Sequence, residues 1–288
     1  MKKHLFSTIF LLFFYAFSYA QDARDIMQKV LDRNDGTTEI SRVRLSTCRV
    51  VKKGKKFVCA GTPRIKVLDM VRKDYGPNEK DHKTVSIIIE PASEKGIGFL
   101  QYDYEERDKD TDQWLYLSAL GKVKRIVSGN ENEPKTGSFF GTEFSYEDME
   151  SIRLEDYSYK ILGNETYRKR PCWVIESTPE KKRALKSNYS KFRDWIDKKN
   201  YIALKSILFN RQGKKVKKIY NMKIETIDNI LIPRKTLVFN LETNRRTYLT
   251  YEKIAFNKTV SDVFLTQRTL TDNVFRKKTL NKYQTYLK

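Results

Sequence analysis

The chain has 288 residues, a formal net charge of +21 and a hydrophobic fraction of 39%. A charge of this size is typical of proteins that bind nucleic acid. We exclude nucleic acid as a partner, because the basic residues are spread along turns and alternate strand positions and because the N-terminus predicts export. The charge instead favours either contact with anionic lipid headgroups or a solvated surface.

The first 20 residues have the pattern of a secretory signal peptide. A basic start at residues 2–4 is followed by an apolar run at residues 5–17, and small residues end at Ala20, just before Gln21. The apolar run is too short to span a bilayer. We therefore predict cleavage between Ala20 and Gln21 and a mature protein outside the cytoplasm. A retained N-terminal anchor is the alternative.

After this leader, hydrophobic periodicity predicts a helix and then many short strands. Residues 22–34 carry apolar side chains at helical spacing, from Ala23 to Val30. The later segments are rich in aromatic and β-branched residues, and their short connections favour antiparallel pairing. Strands are predicted at residues 43–51, 56–61, 64–72, 83–90, 97–104, 113–118, 122–127, 157–163, 172–177, 191–197, 201–210, 214–226, 231–241 and 247–255.

Residues 138–149, hereafter the central segment, are apolar but do not alternate like a strand. Gly137 and Gly141 interrupt any helix through the first half. Ser145 has the features of a helix N-cap, with acidic residues in the turn that follows, so we predict a helix that extends to about Ile152. An aperiodic apolar segment in a β-rich chain must be buried, and we expect it to pack over the open face of a sheet.

The cysteines predict one disulfide. The midpoint between Cys48 and Cys59 falls between Lys53 and Gly54, where a hairpin turn would place the two cysteines directly opposite each other. We predict a disulfide between them, with two free buried thiols as the alternative. Cys172 lies in an apolar strand and is expected to be packed rather than reactive.

Residues with catalytic or metal-binding chemistry are scarce. Once the leader is removed, His82 is the one histidine, which argues against histidine-based catalysis and histidine-rich metal sites. In the acidic loop at residues 103–112, three aspartates from Asp108 onwards match positions one, three and five of a calcium-binding loop. The sixth position is Gln113 instead of Gly and the twelfth is Ala119 instead of Glu, so we interpret the loop as a solvated turn.

The carboxylates of Glu143, Glu147 and Asp148 could form a site for hydrolysis, but helix capping accounts for Glu147 and Asp148. We predict no enzymatic activity, no catalytic residue, no metal and no cofactor.

These elements predict one mainly β domain at residues 21–270 and a basic tail at residues 271–288. About a dozen antiparallel strands in one open sheet would curl. The helices are too few to cover both faces. The expected architecture is therefore a strongly curved antiparallel sheet with two or three helices on its concave face.

Several stretches resemble the LolA-like outer-membrane lipoprotein-sorting family, in its longer branch linked to RND/MMPL-type transporters. The specific part of the match is Phe139 to Met149, and the likeness extends over roughly residues 22–270. Other matching stretches are residues 96–100, 114–117, 124–126, 156–157, 162–163, 171–176 and 232–234, together with Tyr251. The resemblance implies a half-open β-barrel, with helices that lid a hydrophobic cavity. It also implies a periplasmic carrier that takes the acyl chains of a lipoprotein or another lipid from an inner-membrane transporter towards the outer membrane.

On this interpretation the cavity is lined by residues that alternate onto one strand face. The candidates are Val85, Ile87, Ile89, Trp114, Tyr116, Trp173 and Ile175. The lids would be the helix at residues 22–34 and the central segment, through Phe139, Phe140, Phe144, Tyr146 and Met149. Ordinary core packing is the alternative for each residue. Two other functions stay open, an accessory or regulatory subunit of an exporter and a structural envelope protein.

Overall fold

The computed structural model describes residues 23–130 and 132–287, so the predicted signal peptide lies outside the described residues. The described chain is mainly β, as predicted, with fourteen strands and few helices. None of its helices is long and apolar enough to cross a membrane. The strong curvature expected of the sheet stays a prediction.

The strands are longer on average than the sequence predicts, because strand pairing continues into polar flanks. They are β1 Thr38–Lys53, β2 Lys56–Cys59, β3 Arg64–Tyr75, β4 Asp81–Glu90, β5 Gly98–Asp103, β6 Asp112–Leu117, β7 Lys122–Arg125, β8 Tyr157–Tyr167, β9 Arg170–Pro179, β10 Tyr189–Asp197, β11 Ala203–Asn210, β12 Lys215–Ile227, β13 Ile230–Asn240 and β14 Arg245–Phe256. The helices are α1 at residues 23–31, α2 Lys181–Lys186, α3 Gln267–Thr271 and α4 Asn273–Gln284.

The residues cluster into two compact units. The smaller unit contains the described residues up to Arg33 together with Ile152–Val216, and the larger unit contains Asn34–Ser151 and the chain from Lys217 onwards. Strand order in the smaller unit is β8-β9-β10-β11. In the larger unit it is β7-β6-β5-β4-β3-β1-β14-β13-β12, with β2 beside β1. The strand pairs within each unit are antiparallel.

In the smaller unit, helix α1 packs on the strands through one apolar stripe. Ala23, Ile26 and Met27 share a buried cluster with Ile175 and Ile196. This stripe is what the helical periodicity predicted. Helix α2 was not predicted. None of its six residues is buried, so its sequence has no apolar periodicity.

In the larger unit, two apolar clusters lie on opposite faces of the sheet. Side chains alternate along a strand, and β4 and β5 send Val85, Ile87 and Leu100 into one cluster but Ile88 and Phe99 into the other. We call the first the helix-covered face, because residues of α3 and α4 pack on it, and the second the segment-covered face, because the central segment packs there.

The helix predicted from Ser145 to about Ile152 is wrong. The N-cap bonds do form, since Ser145 N–H donates to Asp148 Oδ2 at 2.7 Å and Asp148 N–H donates to Ser145 Oγ at 3.2 Å. However, they begin only the single 3₁₀ turn Glu147–Met149. The helix stops there because the next backbone groups bond to side chains of β5 instead of to one another.

Residues 271–288 are not a tail over most of their length. Asp272 caps α4 by accepting a hydrogen bond from the backbone of Phe275 at 2.9 Å, and Leu280 and Tyr283 are buried. Composition alone indicated a basic tail, because five of these 18 residues are lysine or arginine and the apolar stripe, with a spacing of three residues, is narrow.

The Cys48–Cys59 disulfide is present, with a Cα–Cα distance of 5.6 Å. The register assumed for it was wrong, because Cys59 pairs with Val50 and Cys48 lies two residues further along the same face of β1. The cysteines are therefore diagonal rather than directly opposite neighbours, a separation that a disulfide still spans. Cys172 is buried as expected, and burial raises the pKa of its thiol.

Candidate functional site

The helix-covered face has a floor of aliphatic and aromatic side chains. Val85, Ile87 and Leu100 are buried at its centre, and Trp114 and Tyr116 lie half-buried beside them on β6. They share a face because Leu100 pairs with Trp114 in the β5–β6 register. The floor is broad and apolar, which suits contact with flexible hydrocarbon.

Helices α3 and α4, together called the C-terminal cover, lie on this floor. Leu270 of α3 and Leu280 and Tyr283 of α4 belong to the same buried cluster. The approach is close at Gly98, where an added Cβ would lie 2.8 Å from Leu270 Cδ2 and 2.9 Å from Ile87 Cδ1. A glycine on β5 therefore lets α3 approach the sheet.

Hydrogen bonds join the two helices of the C-terminal cover. The buried Arg276 guanidinium donates to the carbonyl oxygens of Thr269 at 3.0 Å and Leu270 at 2.7 Å, which ties α4 to the end of α3. Burial lowers the pKa of Arg276. These hydrogen bonds connect the two helices of the cover to each other.

Polar links between the cover and the sheet are sparse. Gln284 Nε2 donates to Asp69 Oδ2 at 3.1 Å, and this is the one side-chain hydrogen bond from α4 to a strand in the described part of the chain. Asp69 is also held by Arg42, at 2.8 and 3.0 Å. The chain leading into α3 is fixed by Tyr102, whose hydroxyl donates to the Leu265 carbonyl at 2.7 Å. Apolar contact is therefore the main attachment of α3 and α4.

The segment-covered face is packed with aromatic rings. Phe99 of β5 stacks on Tyr146 at a centroid distance of 5.8 Å and meets Phe139 edge-on at 5.3 Å. Phe140 adopts a left-handed backbone conformation with φ of +49°, which places Phe139 and Phe140 side by side, 4.4 Å between centroids. The phenylalanines of the central segment are thus core residues of this face.

Buried amides fasten the central segment to the sheet. Gln113 Nε2 donates to the Tyr146 carbonyl at 3.0 Å and to Gln101 Oε1 at 2.7 Å, and Gln101 Nε2 donates to the Met149 carbonyl at 2.6 Å. Asp103 accepts from the backbone N–H of residue 151 at 3.2 Å. Burial raises the pKa of Asp103. Each bond satisfies a group that would be costly to leave unpaired.

Two ion pairs add to these bonds. Asp148 pairs with Lys217 of β12, and the side chains are only 5% and 7% exposed. Glu143 pairs with Arg245 at 2.7 Å, and its backbone N–H donates to Thr247 Oγ1 at 3.0 Å. The central segment is therefore attached by polar bonds along its second half.

The smaller unit has its own apolar face beneath α1. Ile175 is buried there and Trp173 is half-buried, stacked on Tyr201 at 5.6 Å. Asp194 pairs with Ile175 across the β9–β10 ladder, so it lies on the same face. Burial raises the pKa of Asp194 to about 6, although a hydrogen bond to Ser206 opposes the shift.

The residues that were expected to line one cavity are distributed over both compact units. Val85, Ile87, Trp114 and Tyr116 do share one face, and Ile89 lies half-buried further along β4. Trp173 and Ile175 belong to the smaller unit. Phe139, Phe140, Phe144, Tyr146 and Met149 lie on the opposite face of the larger unit from Val85 and Ile87. The central segment therefore does not cover the strand face for which it was proposed as a lid.

Sequence reasoning missed the C-terminal cover and the glutamines beneath the central segment. The spacing of Leu280 and Tyr283 was the available signal for the cover. Among the described residues, no group of three or more His, Cys, Asp or Glu side chains is placed to hold a metal ion. His82 contacts the neighbouring strand, since its Nδ1 lies 2.8 Å from Asp74 Oδ1.

Solved structures of several bacterial proteins resemble this fold. A DUF1329 family protein from Desulfovibrio piger has a TM-score of 0.77 at 21% identity, over 88% of this chain and 99% of that chain. A putative outer membrane lipoprotein-sorting protein domain from Vibrio parahaemolyticus has a TM-score of 0.75 at 25% identity, over 88% and 99%. A LolA superfamily protein from Nitrosomonas europaea has a TM-score of 0.60 at 17% identity, over 86% and 97%.

Residues 80–272, more than half of the chain, match the model of a family whose description reads "Uncharacterized protein". The chain belongs to this family, and its fold is the LolA-like fold of outer-membrane lipoprotein-sorting proteins. No curated protein matches the chain at a significant level. The LolA-like fold agrees with the resemblance seen in the central segment.

Proposed function

We propose that this protein is a periplasmic carrier. It shields the acyl chains of a lipoprotein or another lipid and moves them between the inner and outer membranes without catalysis. The LolA-like fold supports this proposal, since one similar structure is described as a putative lipoprotein-sorting domain. The single observation that carries it is the helix-covered face, a broad apolar floor under two helices that are attached mainly by apolar side chains.

An acyl chain would bind by replacing the cover on the floor. Leu270, Leu280 and Tyr283 would leave, and hydrocarbon would take their place against Trp114 and Tyr116. Transfer of hydrocarbon out of water contributes about 0.8 kcal/mol per methylene. Contact of the cover with the floor offsets part of this gain, which keeps binding reversible, as a carrier requires.

The segment-covered face is the second candidate for the cargo site. Phe140 and Phe144 would then act as a lid, as the family resemblance implies. The buried bonds of Gln101 and Gln113 and the Asp148–Lys217 pair make displacement of this segment more costly than displacement of the C-terminal cover. In the smaller unit, Trp173 and Ile175 beneath α1 stay candidate lining residues.

Neighbouring residues of β6 provide a test with a matched control. Trp114 and Tyr116 pack on the helix-covered cluster, and Leu115 between them packs on the segment-covered cluster. We expect W114Q/Y116Q to lose co-purified lipid in native mass spectrometry and to bind a fluorescent fatty-acyl probe about tenfold more weakly. L115Q should retain both, with circular dichroism confirming that each variant is folded.

The opposite pattern of losses would identify the central segment as the cover that cargo displaces. Loss of lipid in L115Q and in F140D/F144D, with W114Q/Y116Q unaffected, would assign cargo to the segment-covered face. Wild-type protein that carries no lipid and binds no acyl probe would contradict the carrier proposal. The alternatives are then an accessory subunit of an RND/MMPL-type exporter, which the charge of +21 favours, or a structural envelope protein. Recovery of a transporter by pull-down would separate these two.

A further inference from the structure

The hairpin of β1 and β2 carries a concentration of charge that lipid carriage does not use. From residue 40 to residue 68 the chain has nine lysines and arginines and no acidic residue. Four of the lysines surround the turn and are exposed, namely Lys52, Lys53, Lys55 and Lys56. A local excess of this kind creates a positive potential at the tip.

Apolar side chains are exposed next to these lysines. Phe57 is 60% exposed and Val51 is 43% exposed. Phe57 pairs with Lys52 on one side of the ribbon, and Val51 pairs with Val58 on the other side. Each side of the hairpin therefore has an exposed apolar residue just behind the lysines of the tip.

The base of the hairpin is fixed to the sheet. The pairing of β1 with β14 ends at Arg49, so the residues beyond it form a two-stranded ribbon. The Cys48–Cys59 disulfide closes this ribbon at its base. Arg246 of β14 donates to the Phe57 carbonyl at 3.2 Å. These links hold the exposed side chains of the tip in a defined position.

We propose that this hairpin is a membrane-docking element that binds the surface of an anionic phospholipid bilayer. The lysines contact headgroup phosphates, and Phe57 and Val51 enter the boundary between headgroups and acyl chains. Charge complementarity identifies the partner, and the flanking aromatic and aliphatic residues distinguish a bilayer from a purely polar polyanion. The lysine stems can lie along the apolar layer while their ammonium groups stay in water. This inference is independent of which lipid the protein carries.

Vesicle flotation of the full mature protein tests it. Wild type is expected to float with vesicles of phosphatidylcholine and phosphatidylglycerol, to stay unbound with phosphatidylcholine alone, and to dissociate as salt is raised. Since each basic residue near an anionic surface contributes about fivefold in affinity, K55E/K56E should bind at least about 25-fold more weakly. F57S should bind about tenfold more weakly and keep its dependence on salt.

The chain offers matched controls for both variants. K214E/K215E reverses two adjacent exposed lysines beside Gly213, in another hairpin turn, and L120S removes an apolar residue that is 64% exposed at the β6–β7 turn. Both should bind like wild type. Equal losses in K55E/K56E and K214E/K215E, or no wild-type binding to anionic vesicles at low salt, would overturn the proposal. Lipid content in K55E/K56E should equal that of wild type, so failure of docking and failure of carriage give different results.

Discussion

The two covered faces of the larger unit are both apolar, but their covers are held in different ways. On the segment-covered face, Gln101 and Gln113 and the Asp148–Lys217 pair bond to the central segment. On the helix-covered face, α4 has the Gln284–Asp69 bond to a strand and otherwise apolar contacts. Buried polar bonds demand one geometry, whereas apolar contacts can be exchanged for other hydrocarbon. Hence the first cover is a fixed part of the core and the second is suited to displacement.

The largest expected effect is at the ion pair of the central segment. K217M would remove the Lys217 ammonium group from the Asp148 carboxylate, which is only 5% exposed. Breaking a buried pair in this way costs about 3–5 kcal/mol in the free energy of unfolding. Urea denaturation measures the loss, and hydrogen exchange at residues 138–149 reports whether the segment detaches.

The control is an ion pair at the surface. R125M removes the 61% exposed partner of Asp112 and should cost less than about 1 kcal/mol. Equal losses in K217M and R125M would mean that the central segment is not anchored by its buried pair, and the contrast between the two covers would disappear.

The second-largest loss of stability is expected from substitution of two glycines, Gly137 and Gly141, on either side of Phe139 and Phe140. Gly137 has φ of +110°, and an added Cβ would lie 2.7 Å from the ring of Tyr146. Gly141 has φ of +69° but nothing within 4 Å of that position. Substitution of either glycine by Ala should lower the free energy of unfolding by about 1 kcal/mol through backbone strain. G137A should lower it by about 1–3 kcal/mol more, because Tyr146 must move. Thermal unfolding of both variants measures the difference, and a double-mutant cycle with Y146A assigns it to the ring.

Alternation along strands was enough to group Val85 with Ile87 and Trp114 with Tyr116, and these four residues pack on one cluster in the structure. It could not say which cover lies over them. Residues 85–89 are apolar at four of five positions, and Ile88 is as buried as Ile87, so each face of β4 can hold a core. Only long-range contacts decide that the central segment takes the face of Ile88.

Local patterns also failed where distant groups supplied the hydrogen bonds. The N-cap bonds predicted at Ser145 form, but they begin only one 3₁₀ turn, because Gln101 and Asp103 of β5 bond to the backbone that would have continued a helix. The disulfide was predictable from spacing in a chain that is predicted to be exported, yet its register depended on a hairpin turn one residue further along than assumed.

The smaller unit differs from both faces of the larger unit, because a carboxylate, that of Asp194, lies on its apolar face. Asp194 has a pKa of about 6 in the folded state against an ordinary value of 3.8, because burial disfavours its charge. The folded state therefore holds the proton more tightly, and the free energy of unfolding falls as the pH rises from about 4 to about 6. D194N should be more stable than wild type by about 3 kcal/mol at pH 7.5 and nearly equal to it near pH 4.

Urea denaturation at both pH values, followed by hydrogen exchange of β9 and β10, checks this expectation. Ser206 can still donate to the amide oxygen of Asn, so the substitution changes charge more than hydrogen bonding. A constant difference between D194N and wild type at the two pH values would exclude titration of Asp194 as the cause.

The smallest effect is expected at the polar link of the C-terminal cover. Q284A removes the bond to Asp69, but Arg42 still donates to both oxygens of that carboxylate, at 2.8 and 3.0 Å. No buried charge loses its partner, so the free energy of unfolding should fall by less than about 1 kcal/mol. Acyl-probe affinity should stay equal or rise slightly, because the cover leaves the floor more easily. A loss as large as that of K217M would show that α4 is fastened by a polar bond like the central segment, and both covers would then be fixed parts of the core.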